Sequence, residues 1–145
     1  MAELPAGMLD SEGSFSGAAA KEIEEECGLT IPSSELLDMT SLATSLTKSS
    51  SSSKTGNGEE EQLQKAIYTS AGGQDEFIAI FLHQKRIERE KLKEFAGKLT
   101  GLRDHGEKIT LKCVRLDELW KEGARDAKTL AAWALYEGLR REGKI

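Results

Sequence analysis

Apolar and polar positions change their period several times along the chain, and each change marks an element. From Ser14 onward the serines give way to Ala18-Ala19-Ala20 and then to Lys21-Glu22-Ile23-Glu24-Glu25-Glu26-Cys27. Alanine and glutamate are strong helix formers. Ser14 or Ser16 can cap the start by accepting a bond from an orphan amide, and Gly28 supplies the left-handed residue that closes a helix. Ala18, Ala19 and Ile23 are expected to cover the core side of this helix. After a turn at Pro32-Ser33-Ser34, the pattern predicts one helical turn over 35–38 and a strand over 39–43. Positions 44–61 read TSLTKSSSSSKTGNGEEE, with no apolar residue after Leu46. Such a composition cannot offset the entropy of ordering, so a disordered loop insertion is expected there, of a length that folds tolerate cheaply.

The second half reads as strands first and helices last. A strand is expected over 65–69, followed by a glycine-bent loop over 70–76. Positions 77–83, FIAIFLH, are almost continuously apolar and predict a central strand buried on both faces. A short, charged, exposed helix is expected over 86–95 and a loop over 97–106, punctuated by Gly97, Gly101 and Gly106. Ile109-Thr110-Leu111-Lys112-Cys113-Val114 alternates and predicts a half-buried strand. Asp117 should cap a short helix through Trp120, and Asp126 a last helix over 127–140. The core stripe of that helix is read as Ala127, Leu130, Ala131, Ala134, Leu135 and Gly138, with Trp133 and Tyr136 as packing residues.

A length of 145 residues suits a single domain, 1–145, with a real core. The net charge of −5 argues against a nucleic-acid backbone as partner, and no apolar run reaches membrane-spanning length. Cys27 and Cys113 form no CxxC pair and are too few for a disulfide framework. Both read as reduced, partly buried side chains in a reducing compartment.

Charge matters most within the first helix. Glu22, Glu25 and Glu26 stand at i, i+3 and i+4, so their carboxylates share a face. Crowding them costs stability unless a cation relieves it, and converging carboxylate oxygens are what a hard ion such as Mg²⁺ takes. An isolated glutamate run would read as a solvated helix face, but the flanks alter that. Gly7, a gap of thirteen residues, then Lys21-Glu22-Ile23-x-Glu25-Glu26-x-Gly28-Leu29 closely resembles the Nudix hydrolase signature. Gly13 stands where that signature has Glu, and Lys21 where it has Arg. Glu3-Leu4-Pro5-Ala6-Gly7-Met8 looks like the branch that cleaves nucleoside diphosphate sugars. With its C-terminal half included, the chain is most similar to plant-type ADP-sugar pyrophosphatases.

The resemblance implies an α/β (α+β) fold, an α/β/α sandwich on a mixed sheet, here without the strands that precede the box in relatives. It implies Mg²⁺, with Mn²⁺ as the alternative, on Glu22, Glu25 and Glu26, helped by the Ala6 carbonyl. Glu107, in the late loop, matches the residue that ligates metal or activates water, and Glu25 joins it as a catalytic candidate. Glu76 resembles an acidic residue that positions substrate, while His105 is read as a loop histidine with no catalytic role. Lys21 keeps the charge of the family's Arg but loses its bidentate fork, and Glu12 could stand in for the carboxylate that Gly13 removes. The implied reaction splits ADP-glucose or ADP-ribose into AMP and a sugar phosphate, with a homodimer if the N-terminal part is present. Two alternatives stay open: a catalytically impaired fragment serving as a binding module, and a Nudix enzyme for another nucleoside diphosphate derivative. With the box so near Met1, cytoplasm, plastid and mitochondrion are equally open.

Overall fold

A computed structural model describes residues 1–9, 13–47, 64–102, 104 and 106–145. Ser14, in extended conformation, accepts a hydrogen bond from the Gly17 amide at 3.1 Å and opens helix α1, Phe15–Glu22. The coil does not stop at Glu22. It widens into a π-helical turn, Ile23–Cys27, which Gly28 closes in the left-handed region at φ 67°. No residue of α1 is fully buried. Ala18, Ala19 and Ile23 are only half-buried, a smaller share of the core than the pattern predicts.

A 3₁₀ turn, Ser33–Glu35, leads to strand β1, Leu37–Asp38, and then to helix α2, Met39–Thr47. The strand expected over 39–43 is therefore helical, and so are the first four residues of the expected insertion. Met39, Leu42, Ala43 and Leu46 recur at i, i+3, i+4 and i+7, the helical period. Asp38 Oδ1 caps the helix, accepting from the Ser41 amide and the Thr40 hydroxyl, each at 2.8 Å. The remainder of the insertion, 48–61, lies outside the described residues.

Strands β2, Ile67–Tyr68, β3, Phe77–Ile78, and β4, Phe81–Leu82, form two antiparallel ladders. β2 pairs with β3, placing Tyr68 opposite Phe77, and β1 pairs with β4, placing Asp38 opposite Phe81. The FIAIFLH run is thus divided at Ile80, whose carbonyl accepts from the Met39 amide at 2.9 Å. The Ile80 amide donates to the Thr40 hydroxyl at 3.2 Å. Of that run only Ile80 is buried, so it is not the doubly covered strand that its apolarity predicts. Helix α3, Arg89–Phe95, precedes β5, Leu99–Thr100, which pairs antiparallel with β6, Ile109–Thr110. Helices and small sheets make an α+β chain, but the described strands do not join into one mixed sheet. Each ladder is two residues long and two strands wide, short of the three strands with an apolar face that a stable sheet needs.

A 3₁₀ turn, Leu116–Glu118, and helix α4, Leu119–Glu122, lead into the last helix, α5, Ala127–Arg141. Asp117 does not cap α4 as expected; Arg115 holds it through Nε at 3.0 Å and Nη2 at 2.8 Å. Asp126 does cap α5, accepting from the Thr129 amide at 3.1 Å and its hydroxyl at 2.6 Å. Burial pushes that carboxyl up, yet the Thr129 and Lys128 donors more than compensate and hold it below its usual range. The cap draws Thr129 inward against Gly123, where a Cβ would overlap the threonine methyl. This turns the buried face by one residue, about 100°. Thr129, Ala132 and Leu139 are buried, while Ala127, Leu130, Ala134 and Gly138 of the expected stripe face solvent.

Met39, Ile80, Ala132 and Leu139 form the core, flanked by Leu42, Leu46, Leu135 and Tyr136. Trp133 packs against Trp120 at 6.4 Å between ring centroids, so both aromatics of α5 are packing residues, as expected. Among the described residues no helix is long and apolar enough to cross a membrane. The rotated stripe has a direct test in urea unfolding. Leu139→Ala, at 3% exposure, should cost about 2–4 kcal/mol. Leu130→Ala, at 37%, should cost under about 1 kcal/mol. The reverse order would restore the stripe read from the sequence.

Candidate metal centre

The π turn after α1 ends a helix whose last carbonyls have no intrahelical partner. Strand β5 supplies partners: the Thr100 hydroxyl donates to the Glu26 carbonyl and the Gly101 amide to the Glu25 carbonyl at 3.3 Å. Gly101 takes φ 85°, which lets the following loop fold back on itself. The Leu102 amide donates to Glu107 Oε2 at 2.8 Å, and the Glu107 amide to the Leu102 carbonyl at 3.2 Å. Glu107 therefore lies over Gly101, where an added Cβ would stand 3.1 Å from both Cγ and Oε2.

The N-terminal segment closes on the same helix. The Ala6 amide hydrogen-bonds the Glu26 carboxylate. A Cβ on Gly7 would overlap the Glu22 carboxylate, so glycine is what leaves room for it. Glu3 arrives with this segment and also lies 3.5 Å from Lys128 Nζ. Glu26 is pushed from its ordinary 4.5 up to about 7, first by burial and then by the charges of Glu22, Glu107 and Glu3, against the opposing Ala6 hydrogen bond. Burial also pushes the Cys27 thiol up, with Glu26 adding to the effect and Lys98 opposing it.

Four of the residues singled out in the sequence thus meet: Ala6, Glu22, Glu26 and Glu107. Glu3 was missed; the signal was an acidic residue on the segment that lays Ala6 and Gly7 against the helix. Glu25 is half-buried, and its carboxylate is not among those raising Glu26. Its carbonyl is what Gly101 holds. Glu76 stands apart from this group, accepting from Thr69 Oγ1 at 3.3 Å and Gln74 Nε2 at 3.2 Å within its own turn. Glu12 and His105 lie outside the described residues.

The donors are hard oxygens, and Glu26 is raised first by burial and then by neighbouring carboxylates whose repulsion a divalent cation would relieve, so the residues fit such an ion in kind. They are gathered at the range of charge interaction. Among the described residues, no three His, Cys, Asp or Glu groups form a ready-made metal cluster.

The site is therefore a set of acidic side chains from a helix end, a glycine-bearing segment and a loop, within range of one another's charge. The chain is 38% identical over 144 residues, 99% of its length, to "Nudix hydrolase 14, chloroplastic" of Arabidopsis thaliana. It spans 41% of the length of that protein. No protein-family profile and no solved structure matches the chain.

The raised Glu26 pKa has a consequence for stability. Between pH 4.5 and about 7 the folded chain keeps a proton on Glu26 that the unfolded chain releases. Stability from this group is therefore full at low pH and falls as pH rises through that window. Without added metal, Glu26→Gln should melt close to wild type near pH 4.5 and increasingly above it toward pH 8. A melting difference that does not change with pH would contradict the raised Glu26 pKa.

Proposed function

We propose that this chain is a Nudix hydrolase unit that cleaves the diphosphate of an ADP-sugar, ADP-glucose or ADP-ribose, to AMP and a sugar phosphate. The observation that carries the reading is the meeting of Glu22, Glu26 and Glu107 beside Ala6 and Gly7, in a chain similar along nearly all its length to a Nudix hydrolase. Glu22, Glu26 and Glu107 would hold Mg²⁺, or Mn²⁺ in its place, with Glu25 and the Ala6 carbonyl completing the set. Such an ion neutralises phosphate oxygens and makes a bound water more acidic. Glu107, whose Oε2 accepts from the Leu102 amide, would serve either as a ligand of that ion or as the general base. Glu76 serves as a substrate-positioning residue from the turn between β2 and β3. The diphosphate carries the negative charge that such a cation must offset, which the carboxylates alone would repel. The name of the relative makes the plastid the compartment to test first.

A second reading, a binding module that turns nothing over, draws on two observations. No preformed metal cluster exists among the described residues, and Lys21 and Gly13 depart from the box. The two readings part on one assay: AMP release from ADP-glucose and ADP-ribose with Mg²⁺ and with EDTA. The hydrolase reading expects release that EDTA abolishes, and a loss of about 10²-fold or more in both Glu25→Gln and Glu26→Gln. Retained turnover in Glu25→Gln alone would remove Glu25 from the centre. Binding of either substrate without release would favour the module.

A further inference from the structure

The catalytic carboxylates sit on two separate pieces of chain, Glu22 and Glu26 on the helix and Glu107 on the loop after β5. Something must fix the distance between those pieces. We infer that Thr100 and Gly101 form a clasp that does so, with Thr100 the positioning residue for the metal centre; the inference rests on the hydrolase reading above.

The argument begins with the π turn. As the last carbonyls of a helix, those of Glu25 and Glu26, two residues that carry the box, have no intrahelical partner. Thr100 Oγ1 donates to the second and the Gly101 amide to the first. Both donors belong to consecutive residues at the end of β5, so the strand grips the helix at two adjacent points. Two bonds restrain rotation as well as distance, where one would act as a pivot. The same β5 residue pairs with Ile109, two positions beyond Glu107. Leu102, next after Gly101, donates its amide to the Glu107 carboxylate. One run of three residues, Thr100-Gly101-Leu102, thereby holds the backbones of two acidic residues, Glu25 and Glu26, and the side chain of a third, Glu107. Gly101 is constrained on both counts, by φ 85° and by Glu107 packed against its α-carbon. Thr100 is the separable part, because its hydroxyl alone makes the bond to Glu26 while its methyl keeps the strand filled.

The chemical role follows. A hydroxyl that holds the carbonyl of a ligand-bearing residue acts as the outer-shell partners of metal ligands do, setting orientation without touching the ion. Loss of such partners typically lowers metal affinity about 10–100-fold.

The test uses the full chain and Mn²⁺ as probe, read by the electron paramagnetic signal of the free ion. Thr100→Val keeps the shape and removes the donor; Thr100→Ser keeps the donor. The expected result is Mn²⁺ binding weakened about tenfold in Thr100→Val and close to wild type in Thr100→Ser. Excess Mn²⁺ should restore the rate of AMP release in Thr100→Val, with metal-free melting close to wild type, which a general loosening of structure would not show. Wild-type affinity in Thr100→Val, equal loss in both variants, or a Thr100→Val chain that fails to fold would each overturn the clasp. Glu26→Gln run alongside separates the two claims. If it binds Mn²⁺ as wild type does, the metal-centre reading fails; if it loses binding while Thr100→Val does not, only the clasp fails.

Discussion

Burial of the Glu26 carboxyl beside other carboxylates is the constraint around which the N-terminal half is arranged. Glu26 is held near neutral pKa by burial and by Glu22, Glu107 and Glu3. Like charges brought this close destabilise the fold that contains them unless protons or cations intervene. The surrounding chemistry is compensation. The Ala6 amide bonds the Glu26 carboxylate, the Leu102 amide bonds Glu107, and Lys128 lies beside Glu3. Glycine at position 7 provides the space in which Glu22 fits. A fold selected for stability alone would have no reason to gather these groups, and strain of this kind is characteristic of functional sites.

The backbone that supports the cluster is irregular where the cluster is. The helix widens into a π turn over the residues that carry the glutamates, a form often found at functional sites. The last carbonyls of that turn, those of Glu25 and Glu26, accept from Gly101 and from Thr100 at the end of β5. The hydrophobic core lies elsewhere, between α2, Ile80 and α5. The two are joined through the N-terminal segment, where Leu4 packs on that core and Glu3 lies beside Lys128.

Much of this was legible from local chemistry. Ser14, Gly28 and Asp126 perform the capping roles their types predict. The spacing of the box brought Glu22 and Glu26 together, and the loop position of Glu107 placed it with them. The misreadings arose where two periods compete. Met39 to Ala43 reads as a strand if the following threonines and serines are set aside as insertion. Including Leu46 completes the helical period. The apolar FIAIFLH run promised a central strand, but the backbone of Ile80 is claimed by Met39 and Thr40, a contact across the fold that no local pattern encodes. The stripe of α5 was rotated for a similar reason: a buried cap between Asp126 and Thr129 outweighed the apolar periodicity. Glu3 was missed because its part depends on how the segment that carries it lies on the helix, which its residue type alone does not give.

The central claim is that Glu26 belongs to a crowded acidic centre that awaits a cation. Its most direct test is the pKa of Glu26 itself, followed by carbon-13 NMR of the side-chain carboxyl with and without Mg²⁺. The account predicts titration at about 7 without metal, moving to clearly lower pH when Mg²⁺ is added. Titration near 4.5, the ordinary value, with no response to Mg²⁺ would contradict it.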